Sequence, residues 1–213
     1  MTPDKDINDT INSLCCGLKP VKPMRPCWRS LLWIVIAISY TSAMVMMIGF
    51  RPQLLDRVLN QYFIFEIGLA LMTGFTATLA TFWLTLPDSS RYNLFLGVPG
   101  TLFSVHVFWM LDRFMMEGMG ATPKVWLTNC WMDTALIAGV PAAAVIFLVR
   151  KGASVRPCLL AFNALLAVAS FGWVGIRFTC PYDSVGKAYL INYLPFMASG
   201  LVIGFSAKRL FKW

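Results

Sequence analysis

Arg177-Phe-Thr-Cys-Pro-Tyr-Asp-Ser184 lies between two apolar runs, residues 157–178 and 188–207. Proline cannot continue a helix and Asp-Ser favours a turn, so this stretch predicts a break between two helices. Each run has about 20 residues, which at ~1.5 Å per residue spans the ~30 Å hydrocarbon core of a bilayer. The stretch therefore predicts a connection between two transmembrane helices.

Four more apolar runs precede this pair, at residues 30–50, 62–86, 92–111 and 131–149. Of the 213 residues, 58% are hydrophobic and 13% are charged, which is about half the charged share of a soluble domain. We therefore predict an all-α integral membrane protein, in which residues 30–213 form a bundle of six transmembrane helices and residues 1–29 form a separate polar tail.

The basic residues predict the orientation of the bundle. If both termini are inside, the inner segments carry twelve lysines and arginines and the outer segments carry six. Since such residues are retained on the cytoplasmic side, the N-terminus and the C-terminus are predicted to be cytoplasmic. The same rule accounts for the net charge of +8, so membrane lipid is the expected contact and direct binding of nucleic acid is not.

The tail contains a predicted amphipathic helix. Its apolar residues recur at helical spacing and share one face, namely Ile7, Ile11, Leu14, Cys15 and Leu18. A helix of about 15 residues is marginal alone in water, so this face needs a surface, which could be the membrane, neighbouring loops or a partner protein. Prolines at positions 20, 23 and 26 predict a polyproline spacer between this helix and the first span.

The predicted topology divides the six cysteines between the two sides. Cys130 and Cys180 lie at the outer ends of the fourth and fifth spans, and the other four lie on the inner side. A short inner loop joins these two spans, so their outer ends are expected to be neighbours. Neighbouring helix ends can supply the Cα separation of ~4.4–6.8 Å that a disulfide needs. A structural disulfide, a reversible thiol sensor of metal or oxidant, and two unpaired cysteines all remain open.

Three acidic or histidine residues lie within the predicted spans. Glu66 is one turn inside the outer end of the second span, where its side chain can snorkel toward water. Asp133 shares a helix face with Cys130, where it would tune the thiol, ligate a metal, or cap the helix or pair with a basic neighbour. His106, in the middle of the third span, is expected to be buried and hydrogen-bonded rather than a ligand.

Several short blocks together are similar to one family pattern. They are Leu18-Lys-Pro-Val-Lys-Pro-Met-Arg-Pro26, Arg29-Ser-Leu-Leu-Trp33, Gly49-Phe-Arg-Pro52, Asn129-Cys130-Trp131, Gly139-Val-Pro141, Arg150-Lys-Gly-Ala153, Leu194-Pro195 and the stretch Arg177–Ser184. In these blocks and in the placement of six spans, the chain resembles the NrsF family of bacterial membrane anti-sigma factors. The block Cys-Pro-x-Asp-Ser, paired with the upstream cysteine, is the most specific part of the resemblance.

The resemblance implies a regulator in the bacterial inner membrane rather than an enzyme. The tail would sequester an extracytoplasmic-function sigma factor, and the stripe residues Ile7, Ile11, Leu14 and Leu18 would then be its contact face. The two outer cysteines would relay heavy-metal or oxidative stress. No resident cofactor is implied, but both cysteines are candidate ligands of a transiently bound heavy-metal ion. The residues expected beside this sensor are Asp133, Arg177, Pro181, Asp183 and Ser184.

Two observations qualify that expectation. Histidines often follow the Cys-Pro block in the family, whereas Lys187 and Asn192 occupy those positions here, which favours a response of the thiols alone. The competing class is a membrane thiol–quinone oxidoreductase that uses the same outer cysteines. Such an enzyme is expected to need a second cysteine pair to relay electrons, and the predicted outer side has only Cys130 and Cys180.

Overall fold

The computed structural model describes residues 25–52, 54–86, 93–117, 130–150, 152, 154–180, 188–189 and 193. Regular structure in these residues is entirely helical, and six helices follow one another: α1 (Pro26–Ile48), α2 (Leu54–Val58), α3 (Gln61–Trp83), α4 (Asn93–Glu117), α5 (Cys130–Val149) and α6 (Pro157–Thr179). The five longer helices are long and apolar enough to cross a membrane. The prediction of an all-α membrane protein is confirmed to that extent. The sixth span and the orientation of the termini stay predictions.

The first helix begins at Pro26, four residues before the predicted start of the first span. Proline suits the first turn of a helix because its fixed φ is already helical and its missing N–H needs no partner there. The helix ends at Gly49, whose φ of 100° is one that glycine adopts freely. The N–H of Gly49 donates to the carbonyl of Val45 at 3.0 Å and closes the last turn.

The fourth helix is longer than its apolar run predicted. The run was expected to end at residue 111, before Asp112 and Arg113, but α4 continues to Glu117. The guanidinium carbon of Arg113 lies 4.0 Å from the ring centroid of Tyr62 and 4.6 Å from that of Trp109. Aromatic faces attract a cation, so the charge is accommodated on the helix and does not end it.

Side-chain contacts show how the helices run relative to one another. Glu66, near the start of α3, meets Arg177, near the end of α6, and the ring of Phe65 lies 4.8 Å from that of Trp109, late in α4. Trp33 of α1 donates from its indole nitrogen to the carbonyl of Pro141 in α5 at 3.0 Å. Tyr40 of α1 makes the equivalent contact with Leu136 of α5, and the N–H of Arg51, just after α1, donates to the carbonyl of Phe178, late in α6. Together these pairs make α3 and α5 antiparallel to α1, α4 and α6.

Helix α6 is the centre of the bundle and packs against α1, α3 and α5. Glycines allow the closest approaches. A Cβ atom at Gly175 would lie 2.8 Å from Cγ2 of Thr41 in α1 and 2.9 Å from Cγ2 of Ile137 in α5, and one at Gly74 would lie 3.1 Å from the ring of Phe171. Small residues let membrane helices pack closely where lipid supplies no hydrophobic drive.

The outer surface of the bundle is apolar. On α1 the buried residues recur every four positions at Trp33, Ala37, Thr41 and Val45. Elsewhere on α1 the large hydrophobic side chains Leu31, Val35 and Met46 are exposed. An exposed apolar face is costly in water and suited to lipid, so the burial pattern agrees with a membrane-spanning bundle.

Candidate functional site at the cysteine end of the bundle

One end of the bundle contains both cysteines of the predicted sensor. Here α1, α4 and α6 finish and α3 and α5 begin, and we call it the cysteine end. Cys130 is the first residue of α5. Cys180 follows the last residue of α6, has an extended backbone with φ −74° and ψ 126°, and is 4% exposed.

A buried ion pair lies one turn below Cys180. Nε of Arg177 is 2.9 Å from Oε1 of Glu66, and the two side chains are only 4% and 2% exposed. A second guanidinium nitrogen donates to Oε2 at 3.4 Å. The indole N–H of Trp173 donates to Oε1 at 3.0 Å. The carboxylate of Glu66 therefore joins α3 to two successive turns of α6.

The expectation that Glu66 snorkels to water is therefore wrong. A lone carboxylate near a membrane surface reaches for water because an unpaired charge is costly in an apolar medium. Here Arg177 offers an opposite charge from the neighbouring helix, and the pair is satisfied inside the bundle. Arg177, predicted to lie beside the sensor, is thus close to Cys180 in sequence but directed at α3.

Two further contacts hold the end of α6. The ring of Phe178 lies edge-on to that of Phe63 with centroids 6.0 Å apart. The carbonyl of Phe178 accepts from the N–H of Arg51 at 2.9 Å. Arg51, which is 5% exposed, belongs to the connection after α1. The last turn of α6 is therefore held by α3 and by the connection after α1.

An aromatic cluster lies deeper, beside Trp173. The ring of His106 stacks on Tyr193 at 5.6 Å and on Tyr189 at 5.7 Å, and Trp173 meets Tyr189 edge-on at 5.6 Å. His106 is 1% exposed, so its expected burial is confirmed. Among the described residues its Nε2 has no hydrogen-bond partner, so the hydrogen bond expected of it is not seen there.

The register of α5 against α6 places the two cysteines at one level. A Cβ atom at Gly172 would lie 3.6 Å from Cβ of Ala138, which marks where the helices face each other. Cys130 lies eight residues before Ala138, and Cys180 lies eight residues after Gly172. Eight helical residues rise about 12 Å, and the two helices are antiparallel. The two backbones therefore reach the same height.

The remaining predicted site residues divide into two groups. Asp133 lies in the first turn of α5 and is partly exposed. The tail residues Ile7, Ile11, Leu14 and Leu18, the residues Pro181, Asp183 and Ser184, and the side chain of Cys130 lie outside the described part of the chain. In that described part, no three His, Cys, Asp or Glu side chains are grouped as metal ligands. The metal-ligand prediction for Cys130 and Cys180 therefore stays a prediction.

The ion pair was not predicted from the sequence, although a signal for it exists. Glu66 and Arg177 are opposite charges inside apolar runs, and the predicted topology puts both near the same surface. Charges inside membrane spans usually pair with one another. When the two residues are considered together rather than singly, their contact is predicted.

These features define a helical membrane protein with several spans. Two cysteines lie at the same level of the bundle, and a buried ion pair lies close to one of them. A family model described as NrsF, negative regulator of sigma F, matches residues 14–213. This range is nearly the whole chain, so the chain belongs to the NrsF family, and its function is negative regulation of a sigma factor. Comparisons with curated proteins and with solved structures gave no match.

Proposed function

We propose that this protein is a bacterial inner-membrane anti-sigma factor that sequesters an extracytoplasmic-function sigma factor through residues 1–29. It releases the sigma factor when Cys130 and Cys180, on the periplasmic side, detect heavy-metal or oxidative stress. The family match over residues 14–213 is the observation that carries the proposal, since it makes the chain a regulator of a sigma factor. A sigma factor works in the cytoplasm, so the part that binds it must be cytoplasmic.

The tail is the segment best suited to bind the sigma factor. The described helices expose apolar side chains that suit lipid, whereas residues 1–24 are polar and carry the predicted amphipathic helix. The matched range includes Leu14 and Leu18. Ile7 and Ile11 precede it, and for them the proposal depends on helical spacing alone. A partner that buries this stripe would supply the surface that the isolated helix lacks.

The level of the two cysteines supports the sensing part of the proposal. Cys130 and Cys180 each lie eight residues from the contact of Ala138 with Gly172, on the same side of it. Thiolates bind soft metal ions, and paired thiols can be oxidised to a disulfide. Either event would change the position of the end of α6 relative to the start of α5. A ligand shifts a conformational equilibrium only by its differential affinity for the two states, and metal–thiolate bonds are strong enough to provide one.

A sigma-dependent reporter in the native host tests the proposal. Deleting the gene should switch the reporter on without stress, and a reporter that stays off would contradict anti-sigma activity. Cells with the wild-type protein should respond to cadmium or to the thiol oxidant diamide. Cys130→Ser and Cys180→Ser should keep the basal repression but lose the response.

Cys158→Ser is the matched control, because Cys158 is exposed at the opposite end of α6. Its response should equal that of the wild type. A full response in Cys130→Ser or in Cys180→Ser would contradict the sensing part alone. The family description is that of a regulator, which favours this function over a thiol–quinone oxidoreductase. Reduction of a ubiquinone analogue by the purified protein would reverse that preference.

A further inference from the structure

The last turn of α6 has an ionic attachment to the rest of the bundle in addition to packing. Arg177 lies one turn before Cys180, and its guanidinium contacts the carboxylate of Glu66 at 2.9 Å. With side chains 4% and 2% exposed, neither partner can exchange the other for water without moving its helix. The ion pair therefore fixes how far the end of α6 lies from α3.

Glu66 holds two points of α6 at once. Trp173 and Arg177 are four residues apart, so they share a face of the helix, and both contact the carboxylate of Glu66. Two contacts on successive turns restrain the rotation of α6 about its axis as well as its distance from α3. The rotation of the last turn decides which way residue 180 leaves the helix, so the two contacts of Glu66 bear on the position of Cys180.

We propose that Glu66 is a positioning residue for Cys180: through Arg177 and Trp173 it fixes the last turn of α6 and keeps the Cys180 thiol buried at the level of Cys130. That this thiol belongs to a sensor depends on the proposed function, whereas the positioning itself does not. Breaking the ion pair releases the last turn of α6 and exposes Cys180, while the opposite end of α6 stays unchanged.

The rate of Cys180 alkylation tests this directly. Full-length protein in dodecyl maltoside is reduced and then pulsed with N-ethylmaleimide, and each cysteine is quantified by mass spectrometry. Glu66→Gln should raise the rate at Cys180 by about tenfold or more, since modification of a buried group follows the population of its open form. The rates at Cys27 and Cys158, which are exposed in the structure, should not change. The control Asp56→Asn removes an exposed carboxylate on α2 and should leave all rates as in the wild type.

A second variant separates positioning from general stability. Glu66→Gln with Arg177→Met removes both charges, so no unpaired charge is left in the bundle, and such replacements often fold as stably as the original. It still lacks the ionic attachment, so Cys180 should remain fast to alkylate in a fully folded protein. A return to the wild-type rate in this double variant, or an unchanged rate in Glu66→Gln, would overturn the proposal.

The sigma-dependent reporter separates this proposal from the proposed function. If Glu66→Gln accelerates alkylation of Cys180 and also shifts the stress dose at which the reporter responds, both stand. If alkylation accelerates but the Cys180→Ser protein responds normally to stress, the positioning stands and the sensing part of the proposed function fails. If the Cys180→Ser protein is unresponsive but alkylation does not accelerate, the sensor stands and Glu66 does not position it.

Discussion

The packing around Gly175 yields a prediction with a magnitude that follows from distances. In Gly175→Ala the new Cβ atom would lie 2.8 Å from Thr41 and 2.9 Å from Ile137. Carbon atoms pack best at ~3.5–4.0 Å, so the space is short by about 0.7 Å on two sides at once. Because α1 and α5 confine α6 between them, the helix cannot relieve one contact without worsening the other. Overpacking of this kind lowers the free energy of unfolding by about 1–3 kcal/mol. About 0.5–1 kcal/mol of that loss is offset because alanine favours a helix more than glycine does.

Gly139→Ala is the matched control, because a Cβ atom at Gly139 of α5 meets nothing within 4 Å. It should be neutral or slightly stabilising. The free energy of unfolding of the two variants should differ by about 2 kcal/mol, roughly a 30-fold difference in the unfolding equilibrium constant. Unfolding in dodecyl maltoside titrated with sodium dodecyl sulfate, followed by circular dichroism at 222 nm, measures it. Equal stability of the two variants would refute the close packing of α6 between α1 and α5.

Three further predictions concern the ion pair, an interhelical hydrogen bond and the tail. Glu66→Gln should lower the free energy of unfolding by about 3 kcal/mol in the same titration, because Arg177 is left buried without its counterion; a loss under about 1 kcal/mol would mean that the pair behaves as an exposed one. Trp33→Phe removes the hydrogen bond that this buried indole donates to α5 and should cost about 1 kcal/mol, so an unchanged thermal midpoint in detergent would contradict the contact. Leu14→Asp should reduce retention of the sigma factor about tenfold or more through the lost apolar burial, whereas Ser13→Asp, on the opposite face of the predicted tail helix, should retain it fully.

The positions of the spans were predictable from the sequence because the thickness of the bilayer fixes how long an apolar run must be. The starts of α3, α5 and α6 lie within one residue of the predicted starts of their spans. The level of Cys130 and Cys180 was also predictable, since a short loop makes α5 and α6 antiparallel neighbours. The extension of α4 to Glu117 was not predictable, because it depends on the contact of Arg113 with the rings of Tyr62 and Trp109.

The contact of Glu66 with Arg177 could not be predicted by considering each residue alone, because it too depends on tertiary packing. The two residues are 111 positions apart in sequence, and which faces of α3 and α6 meet is decided by packing at Gly74 and Phe171 rather than by local periodicity. Hydropathy records how apolar a helix is but not which of its sides is turned toward a given neighbour. Intramembrane charges of opposite sign must therefore be considered as candidate pairs before either is assigned to the surface.

The most direct test of the central claim is co-purification of the sigma factor from the native host. The full-length protein is compared with a form lacking residues 2–24, which removes most of the tail but leaves α1 intact from Pro26. Both forms are purified in dodecyl maltoside at matched yield and helical content. The account predicts that an extracytoplasmic-function sigma factor is retained by the full-length protein and lost from the truncated one. Equal retention by both forms, or retention by neither, would contradict it.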